Sequence, residues 1–178
     1  DCITFFEEHL VTKIRFNVLN KYVDKFIVCE GSQNHKGKNK KINFDKNQYP
    51  EFKHKINHII CQEFPKNLNP WQRQAFQRDI ILKHLQEADD NDLILFSDPD
   101  EIPNPKKLVN LKINKKYVIF LQKLFYYKLN LQNVKLGSNW EGTRGCLKKH
   151  LKSIDYMRQK VLKKNLKYSF FRVDKERN

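Results

Sequence analysis

No run of about 18 consecutive apolar residues occurs in the 178-residue chain, which excludes a membrane-spanning helix within it. No signal peptide is visible at the start, which opens directly on the core-like run Cys2-Ile3-Thr4-Phe5-Phe6. The four cysteines, Cys2, Cys29, Cys61 and Cys146, form no C-x-x-C pair, so neither a zinc site nor a disulfide framework is supported. Three of them fall in or beside apolar runs and read as small buried hydrophobes of a reducing compartment. G-x-G-x-x-G is missing and Gly37 sits in no P-loop pattern, which removes the two common glycine loops that cradle phosphates. H-E-x-x-H is absent, the six histidines are dispersed, and no serine sits in a nucleophile elbow. There is also no arginine cluster: the net charge of +15 comes from lysines scattered among asparagines along the whole length. Such scatter is a compositional bias more than a nucleic-acid footprint, although it favours phosphate-bearing ligands.

What is present suffices for a core. Hydrophobic residues make up 39% and aromatics 12%, with 13 Phe, and the length suits a single domain over residues 1–178. Residues 3–6 read as a strand. Residues 7–20 have helical spacing that would bury Leu10, Ile14, Val18 and Leu19, and residues 26–29 form a second strand ending in Glu30-Gly31. Two strands joined by a helix imply a parallel pair with a right-handed crossover, hence an α/β sheet flanked by helices. A polar, lysine-rich loop follows at 31–41. Residues 52–58 read as a short helical bridge and 59–61 as a short strand. Asn69 is placed as N-cap and Pro70 as the first residue of a helix running to about residue 87, with Phe76, Ile80 and Leu85 in the core. Further on, 106–111 suggests a helical turn, 117–121 and 125–129 strands, 130–137 a turn, 147–161 a helix, and 168–171 a last strand.

The chemistry concentrates at residues 92–103. The apolar run Leu93-Ile94-Leu95-Phe96 ends in Ser97-Asp98-Pro99-Asp100-Glu101-Ile102-Pro103, three carboxylates within four positions. A continuous apolar run suits a strand covered on both faces, and ligands of open α/β sheets bind at the carboxyl ends of strands. Three crowded acids repel, and a hard divalent cation, Mg²⁺ or Mn²⁺, is the usual remedy. A solvated acidic turn is the plainer alternative. Metal-bound carboxylates near cations suit chemistry at phosphates. One class holds a nucleotide-sugar diphosphate; another is a metal-dependent phosphodiesterase or nuclease, with a basic nucleic-acid-binding protein as a third possibility. Nucleases tend to disperse their acids over several strands, whereas this chain gathers them in one D-x-D-E, so no nucleic-acid partner is expected.

Three segments are similar to glycosyltransferase family 17, the family of the β-1,4-N-acetylglucosaminyltransferase that adds the bisecting residue to N-glycans. Asp1-Cys2-Ile3-Thr4-Phe5-Phe6-Glu7-Glu8 and Ile14-Arg15-Phe16-Asn17 resemble its D-C-F-x-F-F-N-E and I-R-L-N. Val28-Cys29-Glu30-Gly31 and Gly37-Lys38-Asn39-Lys40 resemble its V-E-S and G-K-P-K. Pro70-Trp71, Phe76-Gln77-Arg78 and the stretch from Ser97 to Pro103 resemble its P-W, F-Q-R and S-D-x-D-E-I-P. A weaker echo runs through Tyr126-Tyr127, Asn130 and Trp140-Glu141-Gly142-Thr143-Arg144. Glu7, Gly31 and Asn39 depart from the family's Asn, Ser and Pro, and its later W-H-F segment has no counterpart here.

The resemblance implies a GT-A-like fold with a mostly parallel central sheet, a UDP-sugar donor (UDP-GlcNAc by analogy), a glycan or glycoconjugate acceptor, and a divalent metal, Mn²⁺ or Mg²⁺. Inversion at the anomeric carbon then requires a general base for the acceptor hydroxyl and charge stabilisation on the departing diphosphate. On this reading Asp100 and Asp98 hold the metal, Asp98 through water or beside the ribose. Glu101 is a metal or donor contact or the base, with Glu141 the second candidate base. Arg15, Glu30, Lys40 and Arg78 stand at the donor, Arg78 equally as a partner orienting the acids. Trp140 and Arg144 are placed at the acceptor side or in the core. The Lys/Asn bias and reduced-looking cysteines suggest a cytoplasmic enzyme; a Golgi lumen setting would follow from an upstream anchor.

Overall fold

The computed structural model describes residues 1–113, 115–128, 130–133 and 140–159, and the backbone of 175–177. Six strands and a short seventh form one sheet in the order β3-β2-β1-β4-β6-β5-β7. They are β1 (Cys2–Phe5), β2 (Phe26–Gly31), β3 (Ile56–Cys61), β4 (Leu93–Ser97), β5 (Tyr117–Gln122), β6 (Trp140–Leu147) and β7 (Lys175–Arg177). The β3-β2-β1-β4 half is parallel, and β6 alone runs against its neighbours β4 and β5. The expected mostly parallel α/β sheet is therefore what forms.

The strands alternate between two cores, as the two-residue side-chain period requires. Ile3, Phe5, Phe26 and Val28 pack on one face against Phe16 and Leu19 of helix α1 (His9–Leu19) and against Phe44, Tyr49 and Phe52. Cys2, Ile27, Cys29, Ile94 and Phe96 pack on the other with Ile81 and Leu85, and with Ile154 and Met157 of helix α4 (Ile154–Arg158). Covering both faces explains why β2 is buried at all six positions. All four cysteines are buried free thiols, and burial pushes the Cys61 thiol up to about 11 and the Cys146 thiol to about 12. No helix of the described residues is long and apolar enough to cross a membrane.

Helix α2 (Pro70–Ile80) starts as its sequence predicts. Asn69 accepts from the Gln72 amide at 2.9 Å and Gln72 reaches back to the Asn69 amide at 3.0 Å, a capping box with Pro at the first turn. The α-helix ends at Ile80 and tightens into a 3₁₀ turn, Ile81–His84, so the stretch to 87 is not one helix. Other expectations need correction. Residues 52–58 are not a helical bridge: a 3₁₀ turn covers Pro50–Phe52 and β3 begins at Ile56. Residues 147–161 are not one helix: a 3₁₀ turn, Lys148–His150, precedes α4, which Ser153 caps by accepting from the Tyr156 amide. Phe125 makes only an isolated bridge with Gln132 instead of starting a strand. The expected strand at 168–171 lies outside the described residues. The helical turn expected at 106–111 forms as the short helix α3 (Pro105–Val109).

The buried face of α1 was also misassigned by hydrophobicity alone. Thr12, Arg15, Phe16 and Leu19 are buried, while Leu10, Ile14 and Val18 are exposed. The inward face carries Arg15, whose guanidinium hydrogen-bonds Asp1, Ser97 and the Glu101 carbonyl.

Candidate active site at the carboxyl edge of the sheet

From β1 the chain builds outward to β2 and β3 on one side, then returns to place β4 on the other. The β1/β4 boundary is thus the point where strand order reverses, where the loops after the two strands diverge and leave a crevice. Phe5 and Ser97 end these strands, and a cleft of about 280 Å³ opens above them. Phe6, Gly31, Lys40, Gln77, Asp98 and Asp100 stand on its walls.

The acidic loop is held from below. Glu101 N–H donates to the Asp98 carbonyl at 3.0 Å and Asp98 N–H to Glu101 Oε2 at 3.1 Å, closing a tight turn. Arg15, with no exposed surface, donates to the Glu101 carbonyl at 3.0 Å and to Ser97 Oγ at 2.6 Å. The same guanidinium grips both Asp1 carboxylate oxygens at 2.7 and 2.8 Å, the bidentate geometry that arginine provides and lysine cannot. Burial lowers its pKa to about 10, still charged at neutral pH. Thr143 on β6 adds a hydrogen bond to the Glu101 carbonyl at 2.7 Å.

Arginines also compensate the acids. Arg158, at the end of α4, donates through Nη2 to Asp98 Oδ2 and to Glu101 Oε1, both at 2.8 Å. Arg78 is 3.8 Å from Asp98 Oδ1 and anchored on Asp155 at 2.9 Å. Glu101 additionally accepts from the Trp140 indole N–H at 2.5 Å. Burial raises the Glu101 pKa, with Arg158 opposing it. Asp100 is exposed and, among the described residues, has no salt-bridge partner.

The opposite wall is the loop after β2. Glu30 is buried and accepts from the Asn43 and Phe44 amides at 2.8 and 2.9 Å and from Lys40 Nζ, with His58 Nε2 at 3.5 Å. Burial disfavours its charge, but His58, Lys40 and the two amides outweigh that and hold its pKa at about 2. Gly37 turns the loop with φ of 80°. Arg73 ties the loop to α2, donating to Gln33 Oε1 at 2.6 Å and to the Leu68 carbonyl at 3.0 Å.

The residues singled out in the sequence therefore separate by position. Asp98, Asp100 and Lys40 stand on the cleft. Arg15, Glu30 and Glu101 are buried and brace the loops that carry them; both Glu101 oxygens already accept hydrogen bonds. Arg78 stands behind Asp98 as a partner of the acids. Arg144 is fully buried, donating to the Arg158 carbonyl and pairing with Glu141 at 3.4 Å, so it lines no open surface. Trp140 is partly buried against Glu101. Arg158 and Arg73 were missed, because neither belongs to a local motif. Gln77, on the cleft wall and hydrogen-bonded to the Cys29 carbonyl at 3.0 Å, was visible only as the middle of Phe76-Gln77-Arg78.

The sequence model for glycosyltransferase family 17 matches residues 1–169, covering both walls of this cleft. The chain belongs to glycosyltransferase family 17. No curated protein sequence matches it. Among solved structures, it is similar to residues 1–349 of TarS from S. aureus at 12% identity and a TM-score of 0.47. That alignment covers 82% of this chain and 45% of the TarS chain, so the chain spans less than half of that structure. Family membership accounts for the co-location of the first, second and third matching segments, which β1, β2 and β4 bring to one edge.

Proposed function

We propose that this family 17 chain binds a UDP-sugar in the cleft above β1 and β4 and transfers the sugar, N-acetylglucosamine, with inversion to a glycan acceptor in a metal-dependent reaction on a GT-A-like fold. The observation that carries the reading is that two carboxylates, the exposed Asp100 and the half-buried Asp98, share one cleft with Lys40 at the strand-order reversal. Among the described residues no group of three His, Cys, Asp or Glu side chains converges as a metal cage. Two carboxylates suit a cation that takes its remaining ligands from diphosphate oxygens and water, as Mg²⁺ and Mn²⁺ do in nucleotide sites. Asp100 would hold it directly and Asp98 would complete the protein's share. When bound, the cation supplies positive charge against the leaving diphosphate. Lys40, held on Glu30 and the Lys41 carbonyl, would bring its positive charge to a phosphate oxygen, and the partly exposed Phe6 ring beside it offers an apolar wall. Arg15, Glu101 and Glu30 set the loop geometry.

A thermal-shift screen of UDP-, GDP- and CMP-sugars with Mn²⁺ tests the assignment. Stabilisation by UDP-GlcNAc that requires Mn²⁺ is expected; stabilisation by another nucleotide class, or none by any, contradicts the donor.

A further inference from the structure

The crowding of acids at the cleft is relieved by arginine, and this has a consequence for how a cation enters. Arg158 Nη2 lies 2.8 Å from Asp98 Oδ2, while Arg78 Nη2 lies 3.8 Å from Asp98 Oδ1. Both oxygens of Asp98 thus face a guanidinium. Arg158 is 8% exposed and sits on a short helix whose Ile154 and Met157 are buried in the core, so packing fixes the backbone from which it reaches the acids. Its other bond, to Glu101 Oε1 at 2.8 Å, holds it over the loop whether or not Asp98 is engaged. Of the two cleft aspartates only Asp100 is open to a cation.

We infer that Arg158 competes with the divalent cation for Asp98, so that the cation binds together with the nucleoside diphosphate and not ahead of it. The inference rests on the donor reading above. A divalent ion approaching Asp98 meets a cation already on the same oxygen. Asp100 alone is a poor site, because a small hard cation needs several oxygen ligands to offset its dehydration. A diphosphate changes both terms. Its oxygens complete the cation's shell, and they give the Arg158 guanidinium a new anionic partner when it leaves Asp98. Each ligand therefore raises the affinity of the other by the same factor.

The test is a titration of Mn²⁺ followed by the electron paramagnetic resonance signal of the free ion, with and without UDP, in the intact chain and in Arg158→Gln. In the unaltered protein UDP tightens Mn²⁺ binding by about tenfold or more, within the usual range of coupling between two ligands. In Arg158→Gln, Mn²⁺ alone binds about tenfold tighter than in the unaltered protein, and UDP adds correspondingly less. Arg158→Lys, which keeps the charge but loses the planar fork, falls between the two and serves where the glutamine variant does not fold. Mn²⁺ binding in the variants no tighter than in the unaltered protein, with the UDP coupling intact, overturns the competition and leaves the donor reading standing. Binding of Mn²⁺ alone as tight as with UDP also overturns it. Failure of UDP and Mn²⁺ to bind at all overturns both.

Discussion

Arg15 donates to the carbonyl oxygen of Glu101 at 3.0 Å, joining the first helix to the acidic loop across 86 residues of chain. A charged side chain with no exposed surface holds the backbone of the loop on which the site is built. One guanidinium thus joins Asp1, Ser97 and the Glu101 carbonyl.

Arg15→Met therefore leaves a buried Asp1 carboxylate without its counter-charge. Breaking a buried pair in this way costs about 3–5 kcal/mol. Urea unfolding should show that loss, and donor affinity should fall with it as the loop loosens. A change within about 0.5 kcal/mol, the range typical of ordinary surface substitutions, would contradict the bracing role.

Glu30 gives a pH signature. Its pKa falls from 4.5 to about 2 on folding. A depressed carboxylate contributes stability that is fully present above 4.5 and is lost as pH falls through about 2. The size is on the order of 3 kcal/mol. The stability difference between the unaltered protein and Glu30→Gln should shrink between pH 5 and pH 2, read as urea midpoints at each pH. A difference that does not vary with pH would exclude the ionised carboxylate as its source.

Gly37 tests the loop opposite the acids. Its φ of 80° is costly for any residue with a side chain, and a Cβ there would lie 2.7 Å from Arg73 Nη2. Gly37→Ala should cost about 1–2 kcal/mol locally and displace Arg73 from Gln33. If the loop holds the donor as proposed, the expected kinetic result is a raised KM for the donor with kcat little changed. A drop in kcat at unchanged KM would place the loop in the chemical step instead.

Contiguity decided what could be read in the sequence. Asp98, Asp100 and Glu101 are neighbours in one motif, and their position at the end of an apolar run placed two of them, Asp98 and Asp100, where the fold opens a cleft. Glu30 and Lys40 were legible because they flank one short loop. Arg158 was not, because it meets Asp98 across 60 residues from a helix with no motif of its own. The crowding that suggested a cation is compensated by arginines, a relation only the fold reveals. The α1 face was misread because Thr12 and Arg15 are polar residues that are buried, Arg15 for its hydrogen bonds to Asp1, Ser97 and Glu101, while Leu10, Ile14 and Val18 are exposed. Strand β6 was hidden by Gly142 and Gly145. A glycine weakens a strand pattern, yet at Gly145 a Cβ would lie 2.7 Å from Leu95 Cδ2 on the paired strand, so a side chain there would have to displace Leu95.

Asp100 carries the central claim, because it is the exposed carboxylate on the cleft wall and its replacement disturbs no described salt bridge. Calorimetric titration of UDP into the protein with Mn²⁺ present, compared with Asp100→Asn, tests it most directly. The account predicts saturable, Mn²⁺-dependent UDP binding that falls by about tenfold or more in the variant, one lost metal ligand being worth at least about 1.4 kcal/mol, with the melting temperature unchanged. Equal UDP affinity in the two proteins, or binding indifferent to Mn²⁺, would contradict it.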